Sequence, residues 1–164
     1  MPIPAAALAE LLNRPGASTQ RSQPAPPGPT ADLLARVPLF SGLGRRPLHQ
    51  LAKATSAVRF RSGAKILTEG QPGATFFVIL SGQASVTKKG RRLSRLKSGD
   101  HFGELALLDG GPRAADVIAE SDVLALRLDR SAFLRLVRSD PRVATTLLAE
   151  IAGRLRETTK KVEV

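Results

Sequence analysis

Apolar positions change their period along the 164 residues, and the change separates strand-like from helix-like regions. In Ala57 to Arg61, Lys65 to Thr68, Thr75 to Leu80 and Ala84 to Thr87 they alternate or form β-branched and aromatic runs, with Gly-rich turns and Pro72 between them. These segments are predicted as strands, and Ala115 to Ala119 and Val123 to Leu128 read as closing strands. Helical spacing flanks them. Leu33, Leu34 and Val37 precede Pro38, and Leu48, Leu51 and Ala52 recur within Pro47 to Ala57. Past the strands, Asp129 or Ser131 is placed to cap a short helix through Val137, and Pro141 opens a longer one towards Lys161. In that last helix Val143, Leu147, Leu148, Ile151 and Leu155 draw an apolar stripe on a basic surface, so one face must be covered. The cover is the body of the domain, a pocket beneath the helix acting as a lid, or a second helix across a dimer seam.

Residues 14 to 30 break this patterning. They carry Pro15, Pro24, Pro26, Pro27 and Pro29 among Gly, Ser, Thr and Gln, with no apolar residue larger than Ala. Such a stretch cannot bury a core, so residues 1–30 are expected to be a disordered Pro-rich tail and residues 31–164 the folded domain. Ala5 to Leu12 has the pattern of a short helix, but eight residues are marginal alone.

The densest chemistry lies in Phe102-Gly103-Glu104-Leu105-Ala106-Leu107-Leu108, followed after Asp109-Gly110-Gly111 by Pro112-Arg113-Ala114-Ala115. Gly103 permits close approach of backbone to a ligand, and Leu105 to Leu108 can form a single helical turn whose first amides attract phosphate. Arg113 offers a planar, permanently charged fork that matches two phosphate oxygens. A carboxylate at Glu104 repels phosphate and suits a sugar hydroxyl instead. The set therefore fits a small anionic nucleotide. Taken by residue type alone, it equally fits an Arg113–Glu104 surface ion pair worth about 0 to 1 kcal/mol.

The flanking sequence separates the two. Phe102-Gly103-Glu104, the apolar residues Leu105 to Leu108, a short loop and Arg113-Ala114-Ala115 resemble the phosphate-binding cassette of cyclic-nucleotide-binding domains. Leu96, Gly99 and Asp100 sit where that family carries its Leu-x-x-Gly-Asp lead-in, and Val37-Pro38-Leu39-Phe40-Ser41-Gly42-Leu43 resembles its opening motif. Gly63, Gly70, Gly73 and Gly82 fall at the turns of the family's roll, with Phe76 to Gly82 as its central strand. The likeness covers about residues 37 to 160. It implies a mainly β fold: an eight-stranded antiparallel β-roll, jelly-roll-like, with N-terminal helices and two C-terminal helices. It also implies a ligand, a purine 3′,5′-cyclic monophosphate. Arg113 and the amides of Ala114 and Ala115 would hold the cyclic phosphate, and Glu104 with the Gly103 backbone the ribose 2′-hydroxyl. Leu105 belongs to the same site, while Leu107 and Leu108 would couple it to the helix around Phe133 and Leu136. Members that prefer cyclic GMP often carry Thr after the cassette arginine. Ala114 has no hydroxyl, which favours cAMP over cGMP.

Leu148 to Leu155 and Thr158 to Val162 resemble the end of the long dimerisation helix of bacterial catabolite activator proteins, where a hydroxyl pair touches the purine. The matching positions are Thr158 and Thr159, and a homodimer through this helix is implied. In those regulators a helix-turn-helix domain follows, whereas these residues stop at Val164. The expectation is a stand-alone sensor that signals to an effector protein.

Composition narrows the function classes. With 42% hydrophobic content the chain can build a core, and with no Cys it has no disulfide framework, thiolate nucleophile or iron–sulfur site. His49 and His101 are the two histidines, too few for a His-rich metal site, and read as surface or boundary residues. No nucleophile and base pair stands out, so no catalytic residue is expected. No run of 18 apolar residues occurs, and Glu10 interrupts an N-terminus lacking a basic leader. A cytoplasmic protein is expected, and the Ala, Arg, Pro and Gly bias fits a GC-rich bacterial genome. The net charge of +11 concentrates in Lys88, Lys89, Arg91, Arg92, Arg95 and Lys97 around Gly90. That hairpin invites weak, non-specific contact with nucleic acid or acidic lipid, but six Phe and no Tyr or Trp make a poor stacking surface. A protein-interaction or weak nucleic-acid-binding module with an unoccupied pocket is the alternative function.

Overall fold

The computed structural model describes residues 5–12 and 23–162, apart from the side chains of residues 23, 105, 154 and 157–162. Helix α1 (Ala5–Leu12) comes first, then strand β1 (Gln23–Pro24), helix α2 (Pro27–Leu34), a 3-10 turn at Pro38–Phe40 and helix α3 (Arg45–Ala54). Eight strands follow: β2 (Ser56–Phe60), β3 (Lys65–Leu67), β4 (Thr75–Ser81), β5 (Ala84–Lys88), β6 (Arg91–Leu96), β7 (His101–Phe102), β8 (Asp116–Ala119) and β9 (Val123–Asp129). Helix α4 (Glu104–Asp109) interrupts them between β7 and β8, and α5 (Arg130–Ser139) and α6 (Pro141–Val162) close the chain.

The strands pair antiparallel into two sheets, in the orders β1-β2-β9-β4-β7 and β3-β8-β5-β6. This is the eight-stranded roll that the sequence predicts, with β1 added at one edge. Phe76 to Leu80 are all buried because the central strand is covered on both faces. Phe77 and Ile79 point between the sheets, among Phe102, Val117, Ala119 and Ala125. Phe76, Val78 and Leu80 point the other way, into a second core under the helices that contains Phe40, Leu51, Phe133 and Leu147. There Phe40 meets Phe76 edge-on at 5.6 Å and Phe133 at 6.1 Å. Each such fully buried ring or branched chain contributes about 1.5–3 kcal/mol.

The N-terminal region departs from expectation. Rather than trailing as a disordered tail, α1 packs on β4 with Leu8 and Leu12 buried in the helix-covered core. The boundary expected at residue 30 falls inside α2, where Thr30 is fully buried. The prolines explain the misreading. Pro27 and Pro29 occupy the first turn of α2, where a missing N–H costs no helical bond, and the Thr30 amide donates to the Pro26 carbonyl at 3.2 Å. The rest of the expected linker, residues 14 to 22, lies outside the described residues.

Two further details position the site. Asp129 stands at the start of α5 as predicted, yet its carboxylate does not cap the helix. It accepts instead from Arg127 Nε at 3.1 Å and from the Thr75 hydroxyl at 3.4 Å. The basic hairpin is solvated: Lys89 and Gly90 both take positive φ at its tip, and Arg92 and Arg95 each reach Glu120 at 3.2 Å.

Candidate functional site

Phe102 anchors the cassette by stacking on Phe77 between the sheets, with ring centroids 5.2 Å apart. The chain must then turn out of β7 into α4, and Gly103 makes that turn at φ 85°. A β-carbon at Gly103 would lie 2.7 Å from the Thr75 carbonyl oxygen and 3.0 Å from Arg113 Nη1. Glu104 opens α4 at its positive end, while Ala106 and Leu107 on the buried side hold the helix against the roll. Gly110 ends it in a left-handed conformation, its amide donating to the Ala106 carbonyl at 2.9 Å.

The returning segment is pinned to residues 70–73 by backbone bonds. The Gly73 amide donates to the Gly111 carbonyl at 3.1 Å, Arg113 N to the Gln71 carbonyl at 2.8 Å, and Gly70 N to the Arg113 carbonyl at 2.9 Å. One residue past the cassette, Asp116 accepts from the Glu69 amide at 2.7 Å and meets Lys65 Nζ at 3.4 Å. That clamp gives Arg113 a defined place. Its Nη2 donates to the Thr75 carbonyl at 2.9 Å, whereas Nη1 is buried with no hydrogen-bond partner among the described residues. Burial holds the guanidinium pKa below its ordinary value.

Arg113, Glu104, Gly103, Ala114 and Ala115 all line one cavity of about 320 Å³. Its remaining wall is mainly apolar, with Leu67, Val86, Phe102 and Val117 contributed by both the roll and the cassette lead-in. A part-buried cation with an open donor, a carboxylate beside it and a greasy wall can hold an anion, a hydroxyl and a flat ring together. No group of three or more potential metal ligands occurs among the described residues. No helix among them is long and apolar enough to cross a membrane.

Five predicted ligand residues, Gly103, Glu104, Arg113, Ala114 and Ala115, therefore converge. Leu107 is fully buried in the core that holds Phe133 and Leu136, and Leu108 packs against its edge. The side chains of Leu105, Thr158 and Thr159 lie outside the described residues. Sequence reasoning missed three participants. Thr75 acts through its carbonyl, which no residue type announces. Gly73 was legible only as a turn, and it proves to be the floor under Arg113. His101, read as a boundary residue, places Nδ1 4.0 Å from Glu104 Oε2.

A two-sheet roll with a short helix and an arginine loop thus lines one pocket, and the comparisons say which family carries it. The family model described as the cyclic nucleotide-binding domain matches residues 57–140. The chain belongs to this family. A cAMP-dependent protein kinase regulatory subunit from Aspergillus niger is 42% identical over 106 residues, covering 63% of this chain and 26% of that protein. A CRP-like cAMP-activated global transcriptional regulator from Mycobacterium tuberculosis is 32% identical over 132 residues, covering 77% of this chain and 59% of the relative. The match thus spans about a quarter of the fungal relative's length. Among solved structures, the N-terminal domain of a transcriptional regulator from Streptomyces coelicolor A3(2) aligns with a TM-score of 0.73 and 31% identity, covering 80% of this chain and 96% of that one.

Proposed function

We propose that this domain binds a purine 3′,5′-cyclic monophosphate, cAMP in preference to cGMP, and passes that binding to its C-terminal helices as a signal, without catalysing a reaction. The observation that carries the reading is Arg113: it lines the same cavity as Glu104, and its buried Nη1 has no hydrogen-bond partner among the described residues. A cyclic phosphate supplies negative charge and acceptor oxygens for that donor. The Ala114 and Ala115 amides share the phosphate, Glu104 and the Gly103 backbone take the ribose 2′-hydroxyl, and Leu105 belongs to the same site. The apolar wall of Leu67, Val86 and Val117 receives the sugar and ring edge. Thr158 and Thr159 are the ligand residues this reading assigns to the purine.

Signal output runs through α4. Capture of the phosphate draws in Leu107 and Leu108, whose neighbours Phe133 and Leu136 belong to α5. The different affinity of open and closed states for the nucleotide drives the shift. An effector protein, or a second copy across α6, reads the result. Leu148 and Leu155, 67% and 62% exposed on α6, support the second copy.

Calorimetric titration with cAMP and with cGMP, at two salt concentrations, tests the reading. Expected is micromolar or tighter binding of cAMP, weaker binding of cGMP, and loss of at least about tenfold in affinity for Arg113→Ala, since one partner of a part-buried charged pair is removed. An Arg113→Ala variant that binds like wild type sinks the assignment. Binding of neither nucleotide would favour a protein-interaction module working through the exposed hairpin β5–β6.

A further inference from the structure

Two separate chains of contact leave the nucleotide cassette, and both end at the first residue of α5 or the one before it. The first starts at the phosphate end. Arg113 Nη2 bonds the Thr75 carbonyl at 2.9 Å, and the Thr75 hydroxyl donates to Asp129 Oδ1 at 3.4 Å. The second starts at the far end of α4. Arg130 Nη2 donates to the Leu108 carbonyl at 3.4 Å, at the negative end of that short helix. The Arg130 side chain lies along Gly110, where a β-carbon would stand 3.6 Å from its Cδ and Nε. Its own backbone amide donates to the Ala74 carbonyl at 2.7 Å, one residue before Thr75. Arg130 Nε is buried and has no hydrogen-bond partner among the described residues.

We infer that Arg130 is the positioning residue through which α4 moves α5, so that nucleotide capture becomes a displacement of the C-terminal helices. The inference deepens the proposed function and rests on it. Apolar packing of Leu107 and Leu108 can slide, because dispersion contacts have no fixed direction. A guanidinium held to one carbonyl by one arm and to the start of α5 by its own backbone cannot slide without breaking a bond. When α4 shifts by a fraction of its length, the Leu108 carbonyl moves and Arg130 transfers that movement to the first turn of α5. A β-carbon at Gly110 would only touch the guanidinium at van der Waals distance, so glycine is favoured there by its positive φ and not by the arginine. Arg130 does not line the nucleotide cavity, which separates its role from that of Arg113.

The test pairs calorimetry with hydrogen exchange on the full chain, with and without cAMP, for wild type, Arg130→Gln and Arg130→Lys. Wild type is expected to bind and to change protection across α5 and the start of α6. Arg130→Gln should bind cAMP within about threefold of wild type while its ligand-induced change in α5 falls about fivefold, within the range of ordinary coupling energies. Lysine keeps the charge and a donor for the Leu108 carbonyl, so Arg130→Lys should retain at least half of the response. A merely structural role would lower melting temperature in both variants without separating their responses. If Arg130→Gln does not fold, Arg130→Ala replaces it in the same comparison. A glutamine or alanine variant whose α5 responds as wild type does overturns the assignment alone. Absence of nucleotide binding by wild type overturns the sensor reading and the assignment with it.

Discussion

Gly73 lies directly beneath the guanidinium of Arg113, so close that a β-carbon on Gly73 would overlap its Nε and Cζ and stand 2.7 Å from its Cδ. Gly73 is buried and its φ is not in the left-handed region, so glycine is required there by space and not by backbone conformation. Gly73→Ala is therefore a clean displacement of the arginine. The Arg113 hydrogen bond to Thr75 must stretch or break, and the guanidinium is displaced. We expect cAMP affinity to fall by at least about tenfold, with a stability loss of about 1 kcal/mol from overpacking. Calorimetry and thermal melting read the two effects separately.

Replacing Arg113 by Lys retains the charge and tests the fork. One ammonium cannot hold the Thr75 carbonyl and two phosphate oxygens in a plane, so affinity should drop about three- to tenfold, less than for alanine. Stability without nucleotide is read on Arg113→Ala, where it should barely respond. Desolvation disfavours the guanidinium in the folded state, and removing it relieves that cost while losing one hydrogen bond. The ligand-free melting temperature of Arg113→Ala should therefore stay within about 3 °C of wild type. A large drop would mean that Arg113 is a structural cation.

How much of this could be read beforehand depended on whether side chains or backbone carried the feature. Glu104 and Arg113 announce themselves by charge, Gly103 by a conformation only glycine takes easily, and Phe76 to Leu80 by a run too apolar for a half-exposed strand. The Thr75 carbonyl and the floor at Gly73 leave no such mark, since any residue has a carbonyl and many turns have a glycine. Composition misled at the N-terminus, because Pro27 and Pro29 open a helix as readily as they fill a linker. Asp129 misled in the opposite way: its position is that of a helix cap, but Arg127 on the same strand competes for its carboxylate and wins. The stripe on α6 divides as its alternatives allowed, Val143 and Leu147 buried on the domain and Leu148 exposed.

That division is held in place where α6 crosses the 3-10 turn. A β-carbon on Gly42 would stand 2.8 Å from Cγ2 of Thr146, whose hydroxyl donates to the Arg142 carbonyl at 3.0 Å. Gly42→Ala should push the helix outward and cost about 1–2 kcal/mol. Thr146→Ser removes only Cγ2 and keeps the hydroxyl bond. The double variant should recover most of the loss, giving a coupling energy of at least about 0.5 kcal/mol in a thermodynamic cycle. Additive losses would show that the two residues do not meet.

Asp116 ties pH to the cassette. The amide of Glu69 donates to its carboxylate and the nearby Lys65 ammonium adds attraction; together they outweigh desolvation and hold its pKa below the usual carboxylate value. A carboxylate depressed in the folded state adds stability that is fully present above its unfolded value, about pH 4, and is lost as pH falls through the folded value. Asp116→Asn removes the charge while leaving a carbonyl for the Glu69 amide. The variant should melt below wild type at pH 7, and the gap should close progressively below about pH 4, as Asp116 in wild type takes up its proton. Because Glu69 precedes Gly70, whose amide holds the Arg113 carbonyl, the same acid range should loosen the arginine before the roll itself unfolds. Hydrogen exchange at Gly70 and Glu69, followed from pH 7 down to the acid limb, would show that order; simultaneous loss of protection in β4 would show that Asp116 guards the whole roll and not the cassette.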